Sequence, residues 1–122
     1  MLAIISPAKT LDFVSPLATE KFTLPDFAKE SQELIKTLRK DDPAAISNRL
    51  GSSEKLAALN HERYRQWHAD PDADAARPAI LAFKGDVYMG LGAQSMQARD
   101  FTWAQKHLRV LSGLHGLLKP LD

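Results

Sequence analysis

The chain has 122 residues, enough for one domain with a modest core. Apolar residues make up 44% and charged residues 25%, which excludes a disordered acidic or basic tail and a collagen-like chain. With a net charge of +1 it carries no strong overall field, and with no cysteine it has no disulfide, thiolate nucleophile or iron–sulfur ligation.

In chain order, Leu2 to Ile5 is a short apolar run closed by Ser6-Pro7. It reads as a strand buried on both faces, stopped by a proline that has no ladder donor. Residues 6–25 contain Pro7, Pro16 and Pro25 and read as a long ordered loop. Pro25-Asp26 reads as the first turn of a helix, continued by Phe27, Leu34, Ile35 and Leu38 at helical spacing. Asp42 is an expected N-cap with Pro43 at the first helical position, and Gly51 closes that helix. Ser52 or Ser53 caps a third helix over roughly 53–68. Residues 69–78 form an acidic, Ala-rich connector.

The second half alternates in the same way. Residues 79–83 (Ala-Ile-Leu-Ala-Phe) read as a second strand, Asp86 to Leu91 as a short helical turn, and Asp100 as the N-cap of a helix reaching about Leu108. Residues 108–111 read as a third strand, ended by Ser112-Gly113. Strands near 2–5, 79–83 and 108–111 flanked by helices define an α+β (mixed α/β) class.

Ligands in such sheets sit beyond the carboxyl ends of the strands. If the three strands are neighbours, Ser6, Lys9, Thr10, Lys84, Asp86 and Ser112 face one crevice, which a phosphate-bearing molecule would suit. The charge distribution is compatible with this. Residues 1–76 carry a net −2, and residues 77–122 a net +3 with His107 and His115 besides. The same residues also read as ordinary polar loop positions. Lys9-Thr10 lacks the glycines of a phosphate-binding loop.

Other chemistry is thinner. His61, His68, His107 and His115 have no metal-ligand spacing, so no metal and no cofactor are expected. Ser112, His115 and Asp86 can be drawn as a triad, but no nucleophile-elbow motif accompanies them. Arg63 with Tyr64 and Trp67 reads as a core edge, or as a stacking surface for a base. Residues 111–119 follow a helix and resemble the hairpin of a helix-hairpin-helix element, although Gly113 and Gly116 are three apart where that hairpin has glycines two apart. A buried turn is the alternative.

Four blocks carry a family resemblance. They are Ile4 to Phe13, Lys55 to Asn60 with Arg63 and Trp67, Ala82 to Tyr88 with Gly90-Leu91, and Leu111 to Leu114 with Gly116 and Lys119 to Asp122. In order and spacing these resemble the YaaA family of peroxide stress resistance proteins over the whole chain. The resemblance implies a cytoplasmic protein of the peroxide (oxidative) stress response that limits intracellular iron and protects DNA. It also implies a basic DNA-binding cleft with a helix-hairpin-helix element. No reaction is attached to it, so a non-enzymatic role is expected. The site residues carried over are Ser6, Lys9, Thr10, Asp12, Asn60, Arg63, Lys84, Gly85, Asp86, Tyr88 and Ser112, with Lys84, Arg109, Gly113, Gly116 and Lys119 as DNA-binding candidates.

Family members are about twice as long. The chain is therefore expected to be the N-terminal part of a single YaaA-like domain, an incomplete form of that fold lacking its C-terminal part. Double-stranded DNA, bound without sequence preference, is the expected partner, and no membrane is involved. The alternative is an enzyme acting on a nucleotide or other phosphate-bearing small molecule, with Lys9 and Lys84 holding charge and Asp86 as acid or base.

Overall fold

In the computed structural model the chain divides into two compact units, Met1–Phe27 with Asp72–Asp122 and Ala28–Pro71, of which residues 1–70 and 76–122 are described. Residues 71–75, half of the expected acidic connector, lie outside the described residues.

The second unit is helical: α1 (Ala28–Leu38), α2 (Pro43–Leu50) and α3 (Glu54–Gln66). Its helix ends follow local chemistry. The Asp42 carboxylate accepts from the Ala45 amide at 2.8 Å, with Pro43 where no amide donor is needed. Gly51 adopts φ +58 and donates its amide to the Ser47 carbonyl, ending α2. The Ser53 hydroxyl accepts from the Leu56 amide at 3.3 Å and opens α3. Arg39 closes the far end of α3 by donating to the carbonyls of Tyr64 (2.7 Å) and Trp67 (2.6 Å). Ile35, Ile46 and Ala57 are buried. The expected start at Pro25-Asp26 is corrected to Ala28, because Phe27 precedes the first helical residue and remains 44% exposed.

The first unit holds β1 (Ala3–Ile5), β2 (Thr10–Leu11), α4 (Ala79–Ala82), β3 (Phe83–Lys84), α5 (Asp86–Leu91), α6 (Ala98–His107), β4 (Leu108–Ser112) and β5 (Gly116–Leu118). Strand β1 runs parallel to β4 with Ile5 opposite Val110, and β4 runs antiparallel to β5 with Val110 opposite Leu118. A separate two-stranded ladder sets Thr10 opposite Lys84 and Leu11 opposite Phe83. The core comprises Ile80, Leu81, Ala93, Phe101, Leu108 and Leu121, together with a second cluster of Ala79, Tyr88, Val110 and Leu118.

The α+β class stands, with several local corrections. Residues 79–82 are a helical turn and not a strand. A four-residue apolar run has no period to separate a strand from a buried helix. The C-terminal segment decides the matter, since Asp122 and Pro120 carbonyls accept from the Ala79 and Ile80 amides at 2.9 and 3.0 Å. Only Phe83 and Lys84 are extended, and they pair with β2, so the three expected strands do not share one sheet. Residues 108–118 form a β-hairpin where the helix-hairpin-helix reading placed a helix-flanked turn. Val110 and Leu118 point into the core while Leu111 is 47% exposed, a period of two. Strand β1 is not buried on both faces: Leu2 and Ile4 are 51% and 56% exposed, Ala3 is exposed, and only Ile5 packs, half-buried, against the core. Finally, α6 is capped at Gln97, whose amide donates to the Asp100 carboxylate at 2.8 Å. Asp100 therefore closes the first turn from inside the helix.

Candidate functional site

The loop leaving β1 and the turn joining β3 to α5 are held together by three contacts. Tyr88, 6% exposed, donates its hydroxyl to the Ser6 carbonyl at 2.7 Å. The Asp12 amide donates to the Ala82 carbonyl at 2.7 Å. At Gly85 a Cβ would stand 3.3 Å from the Ala8 Cβ, so glycine lets the two segments approach. The Tyr88 ring also packs on Phe83 at 5.4 Å between centroids. These contacts gather Ser6, Lys9, Thr10, Asp12, Lys84, Gly85, Asp86 and Tyr88 into one local structure.

Asp12 is its anionic centre. Its carboxylate accepts from the Ser15 hydroxyl (2.6 Å), the Ser15 amide (2.9 Å) and the Val14 amide (3.0 Å). The Ser15 hydroxyl first, then the two amides, hold the carboxyl far below the usual carboxylate range. The Lys84 charge acts in the same direction and desolvation opposes. Asp12 is therefore a fixed anion at ordinary pH. Lys9 and Lys84 are exposed, with no ion pair or hydrogen bond among the described residues. A groove of about 300 Å3 opens beside the ladder, lined by Asp12, Phe83, Lys84, Tyr88, Met89 and Gln94 among others. Burial pushes the Tyr88 hydroxyl pKa up, so the phenol stays protonated on its carbonyl partner.

The remaining expected residues stand elsewhere. Ser112 ends β4, parallel to and beside β1, and its hydroxyl accepts from the His115 amide at 3.1 Å, closing the β4–β5 turn. Burial lowers the His115 pKa and the Asp122 carboxylate partly offsets it. Asn60 and Arg63 lie on α3, in the helical unit, where Tyr64 and Trp67 are half-buried and Arg63 is exposed. Arg109 donates to the carbonyls of Gln105 (2.9 Å) and Leu108 (2.7 Å) at the end of α6. Lys119 pairs with Asp26 at 2.8 Å. Gly113 is open to solvent, whereas Gly116 sits at φ +72 against Phe27.

Sequence reasoning missed Arg77. Its guanidinium donates to the Ser15 carbonyl and stands 3.9 Å from the Asp12 carboxylate, with side chains only 6% and 12% exposed. At 3.9 Å the link to Asp12 is too long for a charge-assisted hydrogen bond, so Arg77 acts mainly by pinning the loop. The one available signal was a lone arginine between an Ala-rich segment and Pro78.

The family model described as peroxide stress protein YaaA matches residues 1–122. The chain belongs to that family. It is thus a peroxide stress response protein, and the local structure around Asp12 and Lys84 is built largely from two of the four family-like blocks, Ile4 to Phe13 and Ala82 to Tyr88. Among the described residues no helix is long and apolar enough to cross a membrane.

Proposed function

We propose that this YaaA-family chain protects DNA during peroxide stress by binding the phosphate backbone of duplex DNA without reading sequence. The observation that carries this reading is a pair of exposed lysines without an ion pair or hydrogen bond among the described residues, Lys9 just before β2 and Lys84 within β3. Free ammonium groups are the currency of backbone binding, because each phosphate they neutralise releases condensed counterions. Arg109 and Lys119 are secondary contributors, since both already serve partners within the fold. Limitation of intracellular iron enters as an indirect effect, in a chain without a single cysteine.

A second reading is favoured by a separate observation. The groove beside Lys84 sets an exposed ammonium over apolar walls, which suits a small phosphate-bearing ligand such as a nucleotide with its phosphate on the Lys84 side, away from the Asp12 anion. There Lys84 would hold the phosphate; Asp86, the acid or base of this reading, is exposed at the start of α5 and does not line the groove.

Titration of a labelled duplex at about 50 mM and about 200 mM salt separates the two, with the fold checked by circular dichroism. Backbone binding gives a log–log salt slope of about −0.9 per phosphate contact. Stabilisation by mononucleotides, with no affinity for duplex, moves the function to the groove.

A further inference from the structure

Helix α6 buries one face and displays an unusual stripe on the other. At about 100° per residue, Phe101, Ala104 and the following Leu108 share the buried side, at 2%, 4% and 7% exposure. Arg99, Trp103 and Lys106 fall within a narrow arc on the opposite side. Trp103 is 59% exposed on this polar face, where a tryptophan gains little from burial.

The ring is nevertheless held in place. The His107 imidazole stacks on it at 4.3 Å between centroids and 13° between planes. His107 Nδ1 lies 2.8 Å from the Trp103 carbonyl, which can only accept, so that nitrogen carries the proton. One face of the indole is thus backed by imidazole, and the flanking positions along the stripe are cationic. The nearest carboxylate, Asp100, stands 3.7 Å from Arg99 Nε. It also accepts from the Gln97 amide, and the Arg99 side chain is 84% exposed, so this surface pair restrains Arg99 little.

We propose that the outer face of α6 binds single-stranded nucleic acid, with an unpaired base stacked on Trp103 and the adjoining phosphates held by Arg99 and Lys106. A cation–aromatic–cation stripe matches the alternation of phosphate and base along a single strand, and stacking tolerates any base. In a duplex the ring faces are covered by the neighbouring base pairs, so this surface prefers single strands to duplex. The site is separate from Lys9 and Lys84, and it stands whether or not those lysines bind duplex.

The probe is a short fluorescein-labelled oligothymidylate, compared by anisotropy with a labelled duplex on the whole chain. Expected are binding of the oligothymidylate, a loss of about tenfold or more in Trp103→Leu, and near-complete retention in Trp103→Phe. Arg99→Glu with Lys106→Glu weakens binding and flattens the salt slope by about 0.7 per lost phosphate contact. Because Trp103 is exposed, these variants are expected to keep the wild-type circular dichroism. Tryptophan fluorescence quenched by the oligothymidylate in the wild type, and far less in Trp103→Phe, is the independent readout. Wild-type affinity in Trp103→Leu, or no binding of oligothymidylate by the wild type, overturns the proposal. Loss of duplex binding alone counts against the Lys9–Lys84 reading and leaves this one standing.

Discussion

The Tyr88 hydroxyl donates to the Ser6 carbonyl across 2.7 Å, tying α5 to the loop that leaves β1. Two segments 82 residues apart in sequence are thereby set as one local structure, and Lys9 and Lys84 are presented from it. Tyr88→Phe keeps the ring on Phe83 and removes only this bond. Chemical denaturation is expected to show a loss of about 0.5–1.5 kcal/mol.

The same residue gives an alkaline signature. Burial raises the folded-state pKa of Tyr88 above its ordinary 10.0, so the folded chain holds the phenolic proton longer than the unfolded chain. Stability from this group is complete below pH 10.0 and is lost as pH rises through the folded-state value. Unfolding free energies measured across that range are expected to fall in the wild type, and to fall less in Tyr88→Phe.

His115 acts at the other end of the scale. Burial lowers its folded-state pKa below 6.5, so the unfolded chain binds more protons in the window between the two values. Stability is therefore present above pH 6.5 and declines as pH falls through the folded-state value. His115→Gln is expected to flatten that decline, and an unchanged pH profile would remove His115 from the account.

The β4–β5 turn separates two glycines that look alike in sequence. Gly116 has φ +72, and a Cβ there would come within 3.2 Å of the Phe27 ring, so Gly116→Ala is expected to cost about 1 kcal/mol or more. A Cβ at Gly113 meets nothing within 4 Å, so Gly113→Ala is expected to change stability by less than about 0.5 kcal/mol. Thermal unfolding of both variants tests the contrast.

These glycines also show where sequence reading succeeds and where it stops. Asp42, Pro43, Gly51 and Ser53 were legible because capping is local: each side chain or φ angle answers to atoms within five residues. Residues 79–82 were not, because their helical form depends on amides satisfied by Pro120 and Asp122, some forty residues away. The β-hairpin at 108–118 was half legible. Its first strand has a clear apolar core, but its partner Gly-Leu-Leu is too short to show a period. In the candidate site, Lys9 and Lys84 were readable as strand-end charges. The ladder that sets Thr10 against Lys84, and the role of Arg77 in pinning the Asp12 loop, exist only in three dimensions.

The most direct measurement is the affinity of a labelled duplex for Lys84→Glu beside Lys119→Glu, each titrated over a range of salt. Lys84 is exposed and makes no ion pair among the described residues, whereas Lys119 is paired with Asp26. The expected result is a marked loss of affinity and a salt slope reduced by about 0.9 or more for Lys84→Glu, with a much smaller change for Lys119→Glu. Unchanged affinity and slope in Lys84→Glu would contradict the assignment of the DNA-binding surface to this part of the fold.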